Sequence, residues 1–212
     1  MNPRSSEDLF DLAPVVPVVV LSDAADAVPM ARALVAGGLP AVEVTLRTEA
    51  ALGAIERIAA EVPDAVVGAG TVTTPEQAER AAAAGAGFLV SPGCTAGLYE
   101  AMAATGLPTL PGVSTASEAM ALLERGATAL KFFPAEAAGG RAYLTSLAGP
   151  LPQVRFCPTG GVTAASAPDY LALPNVGCVG GTWLTPADAL AAGDWERVGQ
   201  LASEAAALAP AR

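Results

Sequence analysis

Lys131, in the stretch ALKFFPAE (residues 129–136), is the single lysine of the chain. The other basic side chains are ten arginines, and histidine is absent. Arginine stays charged, whereas a lysine taken out of water can give up its proton and attack a carbonyl carbon. The neighbours of Lys131 are apolar and aromatic in a strand-like pattern, so its amine is expected in a desolvated place. Burial disfavours an ammonium ion, and a nearby cation adds to that effect. A neutral amine is what Schiff-base chemistry requires. The plainer reading is a structural lysine paired with a carboxylate; the pattern favours chemistry.

Glu43 is the second anomaly. Among 21 acidic residues it is the one embedded in a strand pattern, AVEVT (41–45). A buried carboxylate can shuttle protons, and without histidine a general acid–base must be Glu, Asp, Tyr, Cys or water. Its plainer reading is a buried ion pair with Arg47 or Lys131, an arrangement that a working site would also contain. Arg47 lies four residues on, just past the strand end, where a guanidinium can fork onto a carboxylate. The segments PTGG (158–161) and VGGT (179–182) put paired glycines after strands. Such turns let backbone N–H groups approach an anion such as phosphate.

These residues need a scaffold that brings strand ends together. Short β-branched runs at 15–21, 41–45, 65–71, 87–91, 107–112, 128–133, 153–161 and 175–182 read as buried parallel strands. Ala-rich stretches with helical spacing lie between them, at 25–38, 48–62, 74–86 and 115–127. Thr74–Pro75–Glu76 and the pair Thr115 and Glu118 are helix starts, and Gly37–Gly38, Gly85, Gly106 and Gly126 are helix stops. Strands in βα alternation predict an α/β fold, a single (β/α)₈ TIM barrel over residues 1–212. A short helix near 5–12 and a last helix from 194 to 208 complete it. The functional face of such a barrel is where strands end. That adds Thr45, Thr71, Ser91, Ser114, Phe133, Thr159 and Thr182 to the candidates, with the phosphate end after the last two strands.

Bulk composition narrows the chemistry further. With 212 residues, 52% hydrophobic and 15% charged, the chain can build a full core. A net charge of −10 argues against nucleic acid as a partner. Cys94, Cys157 and Cys178 form no CxxC pair, so neither a disulfide framework nor a zinc site is expected, and no metal or other cofactor is implied. Reduced, buried thiols in a cytoplasmic protein are the expectation. The apolar run at 12–21 is too short to span a bilayer and carries two prolines, so no membrane partner is expected either.

Taken together, EVTLR (43–47), GAGT (68–71), SPG (91–93), PGVST (111–115), KFFPAE (131–136), RFCPTGG (155–161) and GGTW (180–183) resemble the KDPG aldolases, the 2-keto-3-deoxy-6-phosphogluconate aldolases. The likeness runs from about residue 14 to 205. It implies a metal-free class I aldolase, a homotrimer, that cleaves the sugar acid to pyruvate and glyceraldehyde 3-phosphate in the Entner–Doudoroff route. The family's Schiff-base lysine falls on Lys131 and its proton-transferring glutamate on Glu43. Arg47 and Thr71 match the residues holding the pyruvyl carboxylate, Phe133 a side chain packed beside the imine, and Thr159 a threonine linked to stereoselectivity. Gly160, Gly161, Gly180, Gly181 and Thr182 match the phosphate pocket.

The chain departs from the family pattern in three places. Ser22–Asp23 stands where a basic residue is common after the first strand. Ala138 replaces an asparagine, and Thr182 replaces a serine but keeps the hydroxyl. A shorter substrate, 4-hydroxy-2-oxoglutarate, or an epimeric sugar acid therefore stays open beside the phosphorylated one. A phosphosugar isomerase or an anion-binding barrel without turnover are the remaining readings. The first needs no lone strand lysine, and the second predicts no imine at Lys131.

Overall fold

The computed structural model describes residues 3–208; the outermost positions of the expected domain, 1–2 and 209–212, lie outside the described residues. Its strands are β1 (Val15–Val19), β2 (Ala41–Thr45), β3 (Val66–Gly70), β4 (Phe88–Val90), β5 (Thr109–Leu110), β6 (Gly112–Val113), β7 (Ala129–Phe132), β8 (Arg155–Pro158) and β9 (Val179–Gly181). The helices are α1 (Asp8–Leu12), α2 (Ala27–Ala36), α3 (Ala51–Glu61), α4 (Pro75–Ala83), α5 (Ala96–Ala104), α6 (Ala116–Leu123), α7 (Gly140–Ala148), α8 (Ala167–Leu171), α9 (Ala187–Ala192) and α10 (Trp195–Ala206). None is long and apolar enough to cross a membrane, among the described residues.

All strand pairs are parallel. Six strands form a curled half-barrel in the order β5-β4-β3-β2-β1-β9, and three form a second sheet, β6-β7-β8. The expected strand 107–112 is thus two pieces. Pro111 has no N–H to give to a ladder, so the strand breaks there. Ser91 bridges the gap: its hydroxyl accepts the Gly112 N–H at 3.1 Å. The expected strand 153–161 also stops early, because Gly160 and Gly161 take φ of +97° and +83° and leave the extended region.

Helix ends follow local chemistry. Thr115 and Glu118 form the expected capping box on α6. On α4 the N-cap is Thr74, as expected, and Gln77 completes a second box. Gly38, Gly85, Gly106 and Gly126 all take positive φ at helix ends.

Side chains alternate along the strands with period two. Val42, Val44, Val67, Ala69, Leu89, Leu130, Phe132 and Phe156 join the large core that packs the helices. Ala41, Val66, Phe88, Val90, Leu110, Ala129, Cys157 and Cys178 form another cluster with Leu9 and Phe10 of α1. Glu43 shares a parity with Ala41, and Lys131 with Ala129, so both lie on this inner face.

Helix α1 and the residues before it seat against the strand beginnings. Ser6 Oγ accepts the Thr109 N–H at 2.9 Å. The Glu7 carboxylate accepts from Thr128 Oγ1 at 2.9 Å and from the Arg155 guanidinium at 3.3 Å. The Phe10 ring rests where Gly177 has no side chain, and a β-carbon there would overlap the ring. Gly177→Ala should therefore displace Phe10 and cost about 2 kcal/mol by overpacking. For a chain of this size that lowers Tm by about 4–8 °C in a thermal unfolding scan. An unchanged Tm would show that Phe10 is not seated on Gly177.

Candidate active site

Parallel pairing brings Lys131 and Glu43 to one level from opposite parts of the chain. Glu43 is in register with Val18 of β1 and Gly68 of β3, and Lys131 with Gly112 and Cys157. The Lys131 Nζ donates to Glu43 Oε1 at 3.1 Å and lies 3.5 Å from Oε2. Lys131 is 4% exposed and Glu43 3%. A charged pair this deep requires close contact, because each ion alone carries a desolvation cost of several kcal/mol. Gly70 supplies the room: a β-carbon there would collide with the Glu43 carboxylate. The Phe133 ring centroid is 5.6 Å from Nζ, so an apolar face covers the amine.

Arg47 follows β2 and is exposed, and its Nε donates to Thr71 Oγ1 at 3.1 Å. Thr71 holds φ at +58°, the one non-glycine residue with positive φ among those described. A β-branched residue there is strained, a condition that proteins tolerate mostly at functional sites. With Nε tied to Thr71, the two terminal nitrogens of Arg47 remain to grip an anion.

A cavity of about 280 Å³ opens beside the pair. Lys131, Arg47 and Phe133 line it together with Thr159, Gly160, Gly161, Gly180 and Thr182. Its two cationic side chains are Lys131 and Arg47. Gly160 rests against the Phe133 ring, at 3.2 Å from where its β-carbon would be, and Gly161 against Glu136 at 2.6 Å. Among the described residues, the N–H groups of Gly161 and Val162 find no protein acceptor. Thr159 is buried, its hydroxyl donates to Cys157 O at 3.3 Å, and Gly180 leaves space for that hydroxyl. Gly181 does not line the cavity; the Trp183 ring packs over it. A larger groove of about 430 Å³, between Arg47 and Arg80, shares Arg47 but contains neither Lys131 nor Glu43.

Three strand-end candidates hold structure together. Thr45 donates to Val19 O at 2.9 Å, Ser91 accepts from Gly112, and Ser114 is bound to the Glu118 carboxylate at the start of α6. Asp23 accepts the Ala25 N–H at 2.8 Å and does not line the cavity. Val18 and Val162 do line it, and neither was singled out in the sequence. Val18 is apolar like its neighbours in β1, so only its register with Glu43 gives it away.

The three cysteines are free thiols; Cys157 and Cys178 are buried, whereas Cys94 is partly exposed. A hydrogen bond from Cys178 holds the Cys157 thiol below its ordinary range, and Lys131 adds to that against burial. The same bond, then burial, pushes Cys178 well up.

Comparison with known proteins places this geometry. The family model described as KDPG and KHG aldolase matches residues 7–201. The 2-dehydro-3-deoxy-phosphogluconate aldolase of Pseudoalteromonas atlantica is 52% identical, over 96% of this chain and 94% of its own. The KHG/KDPG aldolase of Escherichia coli K12 is 54% identical, over 95% and 94%. A crystal structure of KDPG aldolase from Legionella pneumophila, with pyruvate captured at low pH as a covalent carbinolamine intermediate, superposes with a TM-score of 0.93. It is 44% identical and covers 95% of this chain and 98% of its own. The 2-keto-3-deoxy-6-phosphogluconate aldolase of Zymomonas mobilis ZM4, solved with 3-phosphoglycerate, gives 0.92 at 50% identity, with 98% of both chains covered. With a family model over most of its length and relatives at about half identity, the chain belongs to the KDPG and KHG aldolase family.

Proposed function

We propose that the protein is a class I aldolase cleaving 2-keto-3-deoxy-6-phosphogluconate to pyruvate and glyceraldehyde 3-phosphate through an imine on Lys131. The observation that carries this reading is the buried Lys131–Glu43 contact at the wall of a cavity that Arg47 also lines. The Lys131 amine adds to the C2 ketone, and the carbinolamine loses water to a protonated imine. Glu43, directly or through a water, takes the C4 hydroxyl proton. The C3–C4 bond then breaks, its electron pair moving into the C2–nitrogen unit as an enamine, and the aldehyde leaves. Protonation of C3 returns the imine, and water releases pyruvate and the free amine.

In this reading Arg47, aimed by Thr71, holds the substrate carboxylate, and Phe133 keeps water from the imine. Thr159 faces the reacting carbons, and Gly160, Gly161, Gly180 and Thr182 surround the phosphate, while Gly181 lies outside the cavity against the Trp183 ring. The two sheets are arcs of one closed (β/α)₈ barrel within a single domain. That closure is supported by Pro111 alone separating β5 of one sheet from β6 of the other and by isolated parallel bridges, Phe156 with Val176 and Thr159 with Gly180. The free thiols support a reducing, cytoplasmic setting, and the homotrimer and the Entner–Doudoroff step follow the family resemblance. A second reading, cleavage of 4-hydroxy-2-oxoglutarate, is favoured by the cavity having, among the described residues, no cationic lining side chain beyond Lys131 and Arg47.

Borohydride reduction in the presence of pyruvate should fix a pyruvyl adduct on the Lys131 peptide, read by mass spectrometry. Lys131→Arg keeps a positive charge beside Glu43 yet cannot form the imine, so it should give no adduct and only background turnover. An adduct elsewhere, or none in folded wild type, would sink the assignment. Glu43→Gln should still trap pyruvate while slowing turnover about 10²- to 10⁴-fold, the usual worth of a general acid–base. Exchange of the pyruvate methyl protons in heavy water, followed by NMR, should slow with it. Arg47→Ala should raise KM for pyruvate in the synthetic direction about tenfold or more with a smaller loss in kcat, consistent with losing a charge-assisted carboxylate contact. An unaltered KM would remove Arg47 from the carboxylate site.

A further inference from the structure

We propose that Glu136 is a positioning residue for the phosphate end of the cavity, where the bond that it accepts from Tyr170 latches the Gly160–Gly161 turn in its binding shape. The proposal rests on the aldolase reading above and extends it to a residue that does not line the cavity.

Glu136 follows β7, five residues after Lys131, and is exposed. An exposed glutamate would ordinarily be a solvated surface group, but this one is held from three sides. Its backbone N–H donates to Gly160 O at 3.0 Å, one step beyond the Ala135 N–H, which donates to Thr159 O at 2.8 Å. Its Cβ and Cγ lie against Gly161, 2.7 and 2.6 Å from where a β-carbon would stand. Its Oε1 accepts the Tyr170 hydroxyl at 2.6 Å. Tyr170 lies on α8, the helix that follows this turn, and its side chain is fully buried. Burial, followed by that carboxylate, pushes the Tyr170 hydroxyl well above the usual phenol range.

The turn between β8 and α8 is therefore tied at both ends to the segment that carries Glu136. It needs such a tie. Gly160 and Gly161 hold positive φ and have the widest conformational freedom of any residue type, so the turn is costly to order. Gly161 and Val162 line the cavity, and among the described residues their N–H groups have no protein acceptor to fix them. A short donor–acceptor bond between a fully buried phenol and a charged carboxylate fixes the turn from outside the cavity. The carboxylate acts as an acceptor here, and its charge is not required. A glutamine in its place offers an oxygen of the same reach to the same hydroxyl.

That distinction gives the test. Steady-state kinetics with the phosphorylated keto acid would be run on wild type, Glu136→Ala, Glu136→Gln and Tyr170→Phe, with pyruvate trapping by borohydride in parallel. Glu136→Ala and Tyr170→Phe should each raise KM for the phosphorylated substrate about tenfold, with kcat within about twofold and pyruvate trapping unchanged. Glu136→Gln should restore KM to within about twofold of wild type, an outcome that simple loss of a surface charge would not give. Should Glu136→Ala fail to fold, Tyr170→Phe carries the same comparison. Wild-type KM in Glu136→Ala and Tyr170→Phe overturns the proposal, as does Glu136→Gln behaving like the alanine variant. Binding of inorganic phosphate separates the two readings: weaker phosphate binding in Glu136→Ala, in a protein that traps no pyruvate, removes the aldolase reading and leaves the latch. Trapping in all variants with unchanged phosphate binding removes the latch alone.

Discussion

A lysine and a glutamate share a buried contact 88 residues apart in sequence, and the fold is arranged so that neither meets the interior alone. Desolvating each charge costs several kcal/mol, and their attraction repays that only at close range. Apolar residues of similar volume in both places would often stabilise a fold as well or better. Stability is thus a poor explanation for the pair, and chemistry a good one. The same contact restricts its surroundings: Gly70 must lack a side chain, and the registers of β2 against β3 and of β7 against β8 must hold to one residue, since a slip by one turns Glu43 or Lys131 towards the helices.

Keeping that register is the work of the less conspicuous parts. Helix α1 closes the strand beginnings with the Phe10 ring and Glu7, so the inner cluster beneath the pair is apolar apart from two thiols. Beside Lys131, Pro111 interrupts the neighbouring strand, yet the Lys131 N–H still donates to the Pro111 carbonyl at 3.0 Å. Ser91 makes that possible by taking the Gly112 N–H, which the broken ladder leaves over. A serine at a strand end thereby serves position rather than substrate.

The same serine shows where sequence reasoning stops. Lys131 and Glu43 were legible because each is an exception to a pattern: the only lysine, and the only acid within a strand. The helices were legible because their caps use local chemistry, as at Thr115 and Glu118. Strand ends give no such signal. Thr45, Ser91 and Thr159 are small hydroxyl residues in equivalent positions, and only the fold shows that two of them bind neighbouring backbone outside the cavity while the third lines it. Gly70 belongs to the GAGT motif, but its purpose depends on a carboxylate from another strand. The positive φ of Thr71 contradicts the preference of its residue type, so no propensity could announce it.

The distribution of charge explains why the two ends of the cavity differ in kind. Among the described residues, a chain of net charge −10 places only two cationic side chains in this cavity, Lys131 and Arg47. In the aldolase reading both serve the keto acid end, where the bond is broken and placement must be most exact. In that reading the phosphate end is left to uncharged donors, backbone N–H groups and the Thr182 hydroxyl, which attract an anion only from the right directions. Binding there depends on the shape of a glycine turn rather than on a cation, and shape must be maintained by something that does not bind. That asymmetry is why a residue outside the cavity can matter to affinity at one end and leave the chemistry at the other untouched.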